Sequence, residues 1–340
     1  NNRNSRNFWC NVKGIGSWSL TGHSAEELSK KFTEMQDDSE VTAGFMWQKT
    51  TRESKKYQLR GEILSFIPVD KNVEIMLVTI TNTGRMAQTV TPTAAIPLYG
   101  RSADNIRDHR HVTSLLHRIE TTDTGVLVTP TLSFDERGHQ VNHMTYYCVG
   151  WSGNGEKPVD FYPTAEDFVG EGGNFERPYA IVKNAEGVKA GTKIEGLEAV
   201  GGLHFSEITL EPEEECSYLI FTGITEDIQE IRNLSKTYTT REKVLEELEK
   251  TKAYWQEKVN VAYHTGDSDF NQFMHWVSFQ PILRRIYGCS FLPHHDYGKG
   301  GRGWRDLWQD CLALLIMNPD GVRQMLLDNF AGVRIDGSNA

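Results

Sequence analysis

The sequence predicts a multidomain β + α chain, a large antiparallel β-sandwich followed by helices, and three observations carry that reading. From about Phe8 to Thr225, short β-branched and aromatic runs are broken by turn residues. At Thr225 the apolar period changes from that of strands to that of helices. A further set of helical segments begins near Asp267, interrupted by a Gly-rich loop at His294–Gly303. The expected division is a sandwich at residues 1–225, a helical linker at 226–264 and a helical domain at 265–340. With 340 residues the chain exceeds the ~250 at which single cores stop growing, so more than one unit is expected.

Taking the elements in order, Val73–Thr81 is rich in β-branched residues and ends at Asn82-Thr83-Gly84, whose Asn and Gly tolerate positive φ. Strand, turn, strand is the simplest reading, with Gln88–Leu98 returning. Gly125–Thr129, Met144–Val149 and the pair Leu203–Leu210 and Cys216–Thr222, joined by the acidic turn Glu211–Glu215, are further strands. About 220 residues is large for one sandwich, so an extended double-sheet form is implied. Asp227–Leu234 and Thr240–Val259 then read as helices. In the second, Val244, Leu245, Leu248, Thr251, Lys252 and Trp255 share one face, and Glu242, Lys243, Glu246, Glu247 and Glu249 cover the other. Thr239 or Thr240 caps it. Phe270–Tyr287, Asp306–Met317 and Asp320–Phe330 are helical by the same rule.

Composition narrows function by exclusion. A net charge of -10 disfavours nucleic acid, whose binders need clustered cations. No apolar run approaches the ~20 residues of a membrane span, so no membrane partner is expected. The five cysteines (Cys10, Cys148, Cys216, Cys289, Cys311) lack CxxC spacing, which argues against a disulfide framework or zinc site and for a reducing, cytoplasmic compartment. There is no initiator Met and no stop signal in Gly332–Ala340, so the chain reads as cut at both ends.

The densest polar and aromatic cluster is Lys299–Asp310, with three glycines in four residues before a helix that starts within Trp304–Asp306. On that helix Asp306, Gln309 and Asp310 fall at i, i+3 and i+4, while Leu307, Cys311, Leu314 and Leu315 form the face expected to be buried. Carboxylates and an amide suit pairs of sugar hydroxyls, an indole suits the flat face of a sugar, and the neighbouring Arg and Lys suit phosphate. On chemistry alone a second reading stays open: a loop-to-helix corner held by internal Arg–Asp bonds, with Trp304 and Trp308 as packing. Trp276, Gln280 and Arg284, at i, i+4 and i+8, either line a pocket or pack. His294 and His295 read as loop linings, because adjacent histidines point different ways, and His109 and His111 are read the same way.

The run Gly300–Asp310 (GGRGWRDLWQD) resembles the aromatic-Arg-Asp-x-x-Gln-Asp motif of glycoside hydrolase family 94, the inverting disaccharide and oligoglucan phosphorylases. Trp18–Gly22, Phe66–Asp70 through Thr79–Gly84, and Phe168–Asn174 resemble that family's sandwich in the same order, so the resemblance covers essentially the whole chain. Trp304, Trp308 and the 332–340 tail are most similar to its 1,2-β-oligoglucan phosphorylase branch. The resemblance implies that the helical domain is the start of an (α/α)6 barrel. It also implies phosphorolysis of a β-linked gluco-oligosaccharide to glucose 1-phosphate. One Asp protonates the leaving oxygen while inorganic phosphate, a co-substrate and not a cofactor, attacks from the opposite face.

By the same resemblance Asp306 is a ligand of the cleaved sugar, and Lys299, Arg302, Trp304, Arg305, Gln309 and Asp310 are further substrate-binding candidates. The family's acid belongs to a later Trp-Asn-Asp motif that does not follow Asp310 here, so no catalytic residue is assigned and the chain alone is expected to be inactive. The cellobiose-phosphorylase branch has a basic residue where this chain has Gly300; Lys299 or Arg302 is the substitute. The partners expected are a β-glucan oligosaccharide and phosphate, with a homodimer for the intact enzyme. Two other readings are the phosphorylase-like region of a cyclic β-1,2-glucan synthase and a non-catalytic carbohydrate-binding module.

Overall fold

The computed structural model describes residues 6–100, 113–135, 138–287 and 304–338. By its internal contacts the chain forms two units, divided between Thr251 and Lys252.

The first unit is built on two antiparallel sheets. The nine-stranded sheet runs, in spatial order, β14 (Lys193–Glu195), β8 (His117–Thr121), β9 (Gly125–Pro130), β12 (Thr145–Ser152), β17 (Glu215–Thr225), β6 (Val73–Asn82), β5 (Leu59–Phe66), β4 (Trp47–Ser54) and β3 (Asp38–Gly44). The six-stranded sheet runs β13 (Asp160–Thr164), β15 (Ala199–His204), β7 (Gln88–Leu98), β1 (Asn7–Val12) and β2 (Gly16–Ser19), with β16 (Ile208–Leu210) also on β7. A separate hairpin pairs β10 (Leu132–Asp135) with β11 (Gly138–Val141).

Strand periodicity sends alternate side chains to opposite faces, and here both faces of the central strands are buried. From β6, Met76, Val78 and Ile80 enter the core between the sheets, with Phe8, Cys10, Ala94, Ile96, Leu203 and Ile220. Ile75 and Leu77 point the other way, into a second core with Trp151, Leu219 and Phe221. That outer core is closed by α4 (Ile228–Thr237) and α5 (Arg241–Lys258), through Ile231, Leu234, Tyr238, Val244 and Leu248. After β2 comes the short α1 (Ala25–Ser29); on the far side of the six-stranded sheet, α2 (Ala165–Val169) and α3 (Tyr179–Lys183) cover Trp9, Ala95 and Tyr162 with Phe168, Ala180 and Ile181. The sandwich is therefore four layers deep, which accounts for its length.

The change of period at Thr225 has a local cause. Asp227 caps α4, its carboxylate accepting from Gln229 N at 2.8 Å, and Glu230 accepts from the Thr225 hydroxyl at 2.6 Å. α5 starts directly after Thr240 and carries a highly charged sequence. Packing holds it: each of Val244 and Leu248 contributes roughly 1.5–3 kcal/mol on burial, against propensity differences below ~1 kcal/mol per residue.

Two expectations need correction. β6 and β7 do not form a hairpin: the turn at 82–88 carries the chain from the nine-stranded sheet to the six-stranded one. Neither Asn82 nor Gly84 has positive φ. Asn82 is fully buried and makes the turn with its side chain, accepting from Gly84 N at 2.9 Å and donating to the Met86 and Leu210 carbonyls at 2.8 and 2.9 Å. Leu203–Leu210 likewise splits into β15 and β16, and the acidic turn returns the chain to the nine-stranded sheet.

The second unit is helical. α6 (Ser268–Tyr287), α7 (Trp304–Met317) and α8 (Val322–Phe330) follow the end of α5, where Trp255 packs edge-on against Phe279 at 5.3 Å. Leu307, Cys311, Leu314, Met317 and Val322 are buried. Leu315, expected with them, is exposed, as are Leu312 and Ile316: the buried stripe is narrower than the apolar run of the sequence. The fold is thus a large antiparallel sandwich with helices packed on it, followed by a helical region.

Candidate functional site

A cleft of about 550 Å³ lies within the helical unit, lined by α6, α7 and the segment between α5 and α6. Pro281 lies inside α6 and lines the cleft. Having no N–H, it leaves the Val277 carbonyl one turn earlier without its helical donor. Beside it the Ser278 hydroxyl is 2.9 Å from the Met274 carbonyl and 3.1 Å from the Tyr263 hydroxyl, which also lines the cleft.

Three of the residues singled out in the sequence meet here, Arg284, Gln309 and Asp310. Gln309 is exposed and open to a ligand. Asp310 is 4% exposed and is held by Arg284 of α6, whose Nε lies 2.8 and 2.7 Å from the two carboxylate oxygens while Nη2 donates to Oδ1. Such a bidentate pair fixes geometry as well as charge. Arg284 thus belongs to the cleft, but Trp276 of the same expected stripe packs edge-on against Phe279 at 6.1 Å. Trp308 sits edge-on against Phe330 at 4.8 Å. Arg305 is exposed on the first turn of α7. Lys299 and Arg302 lie outside the described residues, as do the side chains of Trp304 and Asp306, and so do His109, His111, His294 and His295.

Within the sandwich, a buried polar pair had no signal in the sequence. His204 Nδ1 is 2.7 Å from Asp160 Oδ1, and the two residues are register partners on β15 and β13. Lys189 Nζ lies 3.8 Å from the other Asp160 oxygen, and the Tyr162 ring packs 5.6 Å from the imidazole. Two polar residues at adjoining strand ends, more than forty positions apart, meet only once the sheet order is known. Among the described residues no group of three or more His, Cys, Asp or Glu is placed to hold a metal, and no helix is long and apolar enough to cross a membrane.

Comparison with known proteins adds three findings. Residues 16–241 match the family model for the glycosyl hydrolase 94 supersandwich domain. Over 194 residues, 56% of this chain, the sequence is 26% identical to the cyclic beta-(1,2)-glucan synthase NdvB of Rhizobium meliloti (strain 1021), and it spans 6% of that relative's length. A bacterial glucoamylase solved in complex with acarbose aligns over 98% of this chain and 45% of its own, with a TM-score of 0.54 and 10% identity, a likeness of fold alone. With a match over more than half its length, the chain belongs to glycosyl hydrolase family 94, and its sandwich is that family's supersandwich domain.

Proposed function

We propose that this chain carries the supersandwich and part of the sugar-handling helical region of an inverting glycoside phosphorylase acting on β-linked gluco-oligosaccharides. The observation that carries the reading is the helical-unit cleft, lined by Gln309 and Asp310 of the Trp304–Asp310 motif and by Arg284. In this reading Asp306 and Gln309 bond the hydroxyls of the glucosyl unit being transferred, and Asp310 acts through Arg284 to hold that helix turn. Trp304 offers its face to the sugar, and Lys299, Arg302 and Arg305 supply positive charge on the phosphate side. The glycosidic C–O bond breaks as a phosphate oxygen bonds the anomeric carbon from the opposite face. The departing oxygen takes its proton from an acid that the motif residues do not include.

Incubated with β-1,2-linked gluco-oligosaccharide and inorganic phosphate, the intact protein should release α-glucose 1-phosphate. Asp306→Asn should lower the rate roughly ten- to hundredfold, the scale of one charge-assisted hydrogen bond at ~1.5–3 kcal/mol, with circular dichroism unchanged. Free glucose in place of the phosphate ester would sink the phosphorylase reading, and an unaltered rate in the variant would remove Asp306 from the site. The likeness to a cyclic β-(1,2)-glucan synthase favours a second reading, a phosphorylase-like region inside such a synthase. Its mark would be phosphate-dependent shortening of glucan made by the same polypeptide.

A further inference from the structure

The outermost strand of a sheet carries N–H and C=O groups with no neighbour, and proteins keep such edges short, bulged or covered. The two main sheets end on β14, β3, β13 and β2. Three of these ends are guarded. β14 is three residues long and carries Lys193 and Glu195. β13 breaks register between Tyr162 and Thr164, and its Phe161 is bridged from outside by Val188. β2 is four residues long and half-buried, and its Ser17 carbonyl accepts from the Tyr57 hydroxyl at 3.0 Å. β3 is different: it runs seven residues in unbroken register with β4 and pairs with no other strand among the described residues. It contains neither Pro nor Lys, and it is exposed from Asp38 to Ala43.

The turn Phe45–Met46 joins β3 to β4, with Met46 at φ 60°, so Gly44 and Trp47 form the closing hydrogen-bonded pair. Antiparallel alternation then commits Thr42, Glu40 and Asp38 to β4 and turns the N–H and C=O of Ser39, Val41 and Ala43 outward. Side chains divide in the same rhythm. Trp47 packs against the outer core, which places Gly44, Thr42, Glu40 and Asp38 on that face. Ser39, Val41 and Ala43 lie on the opposite face, in rows with Arg52, Thr50 and Gln48. The middle of the edge is therefore small and uncharged, and Val41 at its centre is 64% exposed.

We propose that β3 is a self-association edge, on which a second copy of this chain adds its own β3 antiparallel about a two-fold axis at Val41. That register is self-complementary. Val41 meets Val41 of the copy, and Ser39 and Ala43 meet each other twice, so about six hydrogen bonds form and every outward group is used. On the other face Asp38 opposes Gly44 and Glu40 opposes Thr42, so no carboxylate faces another. Lys49, the β4 partner of Thr42, then stands in line with Glu40 of the other copy. Moving the axis to Ser39 would set Glu40 against Asp38, and moving it to Ala43 would run the strand into the turn. The loop ahead of β3 adds apolar surface, with Phe32 and Met35 90% and 72% exposed. Its ends are braced, Lys30 on Glu26 at 3.0 Å and Asp37 N on Glu27 at 2.8 Å. In the two-fold arrangement that loop adjoins turn 45–46 of the copy. The edge lies wholly in the sandwich and is independent of the phosphorylase reading.

Sedimentation velocity of the full chain over roughly 1–100 μM, the range of a small interface, should show a reversible monomer–dimer equilibrium. Hydrogen–deuterium exchange resolved to single amides reads the register. In the monomer the amides of Glu40 and Thr42 are protected by β4, and those of Ser39, Val41 and Ala43 should become protected only as the dimer forms. Val41→Lys sets two ammonium groups against each other at the axis, and Val41→Pro removes an N–H that β4 does not use. Each should weaken association about tenfold or more with circular dichroism unchanged. The proposal is overturned by a chain that stays monomeric across that range, by a dimer that neither variant weakens, or by a dimer in which those three amides still exchange freely. Protection of the three in a chain that stays monomeric assigns the edge to a different strand and overturns it as well.

Discussion

A carboxylate withdrawn from water needs donors on both oxygens, and Asp310 finds them on Arg284, 26 positions earlier on another helix. Removing one partner is what such a pair tolerates least. Asp310→Asn should destabilise the helical unit by about 2–3 kcal/mol, below the ~3–5 kcal/mol of fully buried pairs because the Arg284 side chain stays a quarter exposed. The double change Asp310→Leu with Arg284→Met should cost less than the single one, and chemical denaturation compares the two directly. Glu26 supports a second prediction. Burial pushes its carboxyl up, but hydrogen bonds from Lys56, Tyr57 and Lys30 together outweigh that and bring it from 4.5 to about 2. A depressed carboxyl stabilises the fold above its unfolded value and loses that contribution as pH falls. The stability gap between the native chain and Glu26→Gln should therefore close between pH 4.5 and about 2 in urea titrations; a gap constant over that window would contradict the cluster. The site was only half legible in the sequence. Helical spacing put Gln309 and Asp310 on one face, yet Arg284 as the partner of Asp310 depends on a tertiary contact that spacing does not encode.

Among the elements, strands β6, β7 and β9 and all five longer helices were readable because each has a clear β-branched or one-faced pattern. Their partners were not. Gln88–Leu98 is a strand by its residues, but the reading of it as the return of β6 failed because both sheets are buried on both faces. Nothing in the alternation then says which sheet a strand joins. The small helices α2 and α3 escaped notice for a related reason: five residues are too few to show a period. The two sheets approach closely where Gly201 of β15 faces Cys148 of β12, whose Sγ lies 3.8 Å from the Gly201 carbonyl. A Cβ at Gly201 would fall 2.3 Å from the Cys148 Cβ. Gly201→Ala should thus cost at least the ~1–3 kcal/mol of an overpacked core, and adding Cys148→Gly should recover part of it. A Gly201→Ala protein with native melting temperature would show that the sheets can part there freely.

Across the whole molecule, apolar closure is uneven. Among the described residues the sandwich has three closed clusters, whereas the helical unit leaves Leu312, Leu315, Ile316 and Phe330 exposed. Local opening follows such differences. In hydrogen–deuterium exchange the amides of β6 and β17 should be the slowest and those of α7 and α8 markedly faster; equal protection in the two units would refute this. The four-layer sandwich has a further effect. A strand that is apolar on both faces is like a zip whose teeth are all alike, free to close one notch out of step without exposing anything greasy. Something outside the strand must supply the stop. Asn82 sits where two of the crossings between the sheets meet, β6 to β7 and β16 to β17: its side chain holds Met86 and Leu210, and its backbone exchanges bonds with Glu213 and Glu214. One amide thereby sets the notch from which β6 and β17 are counted.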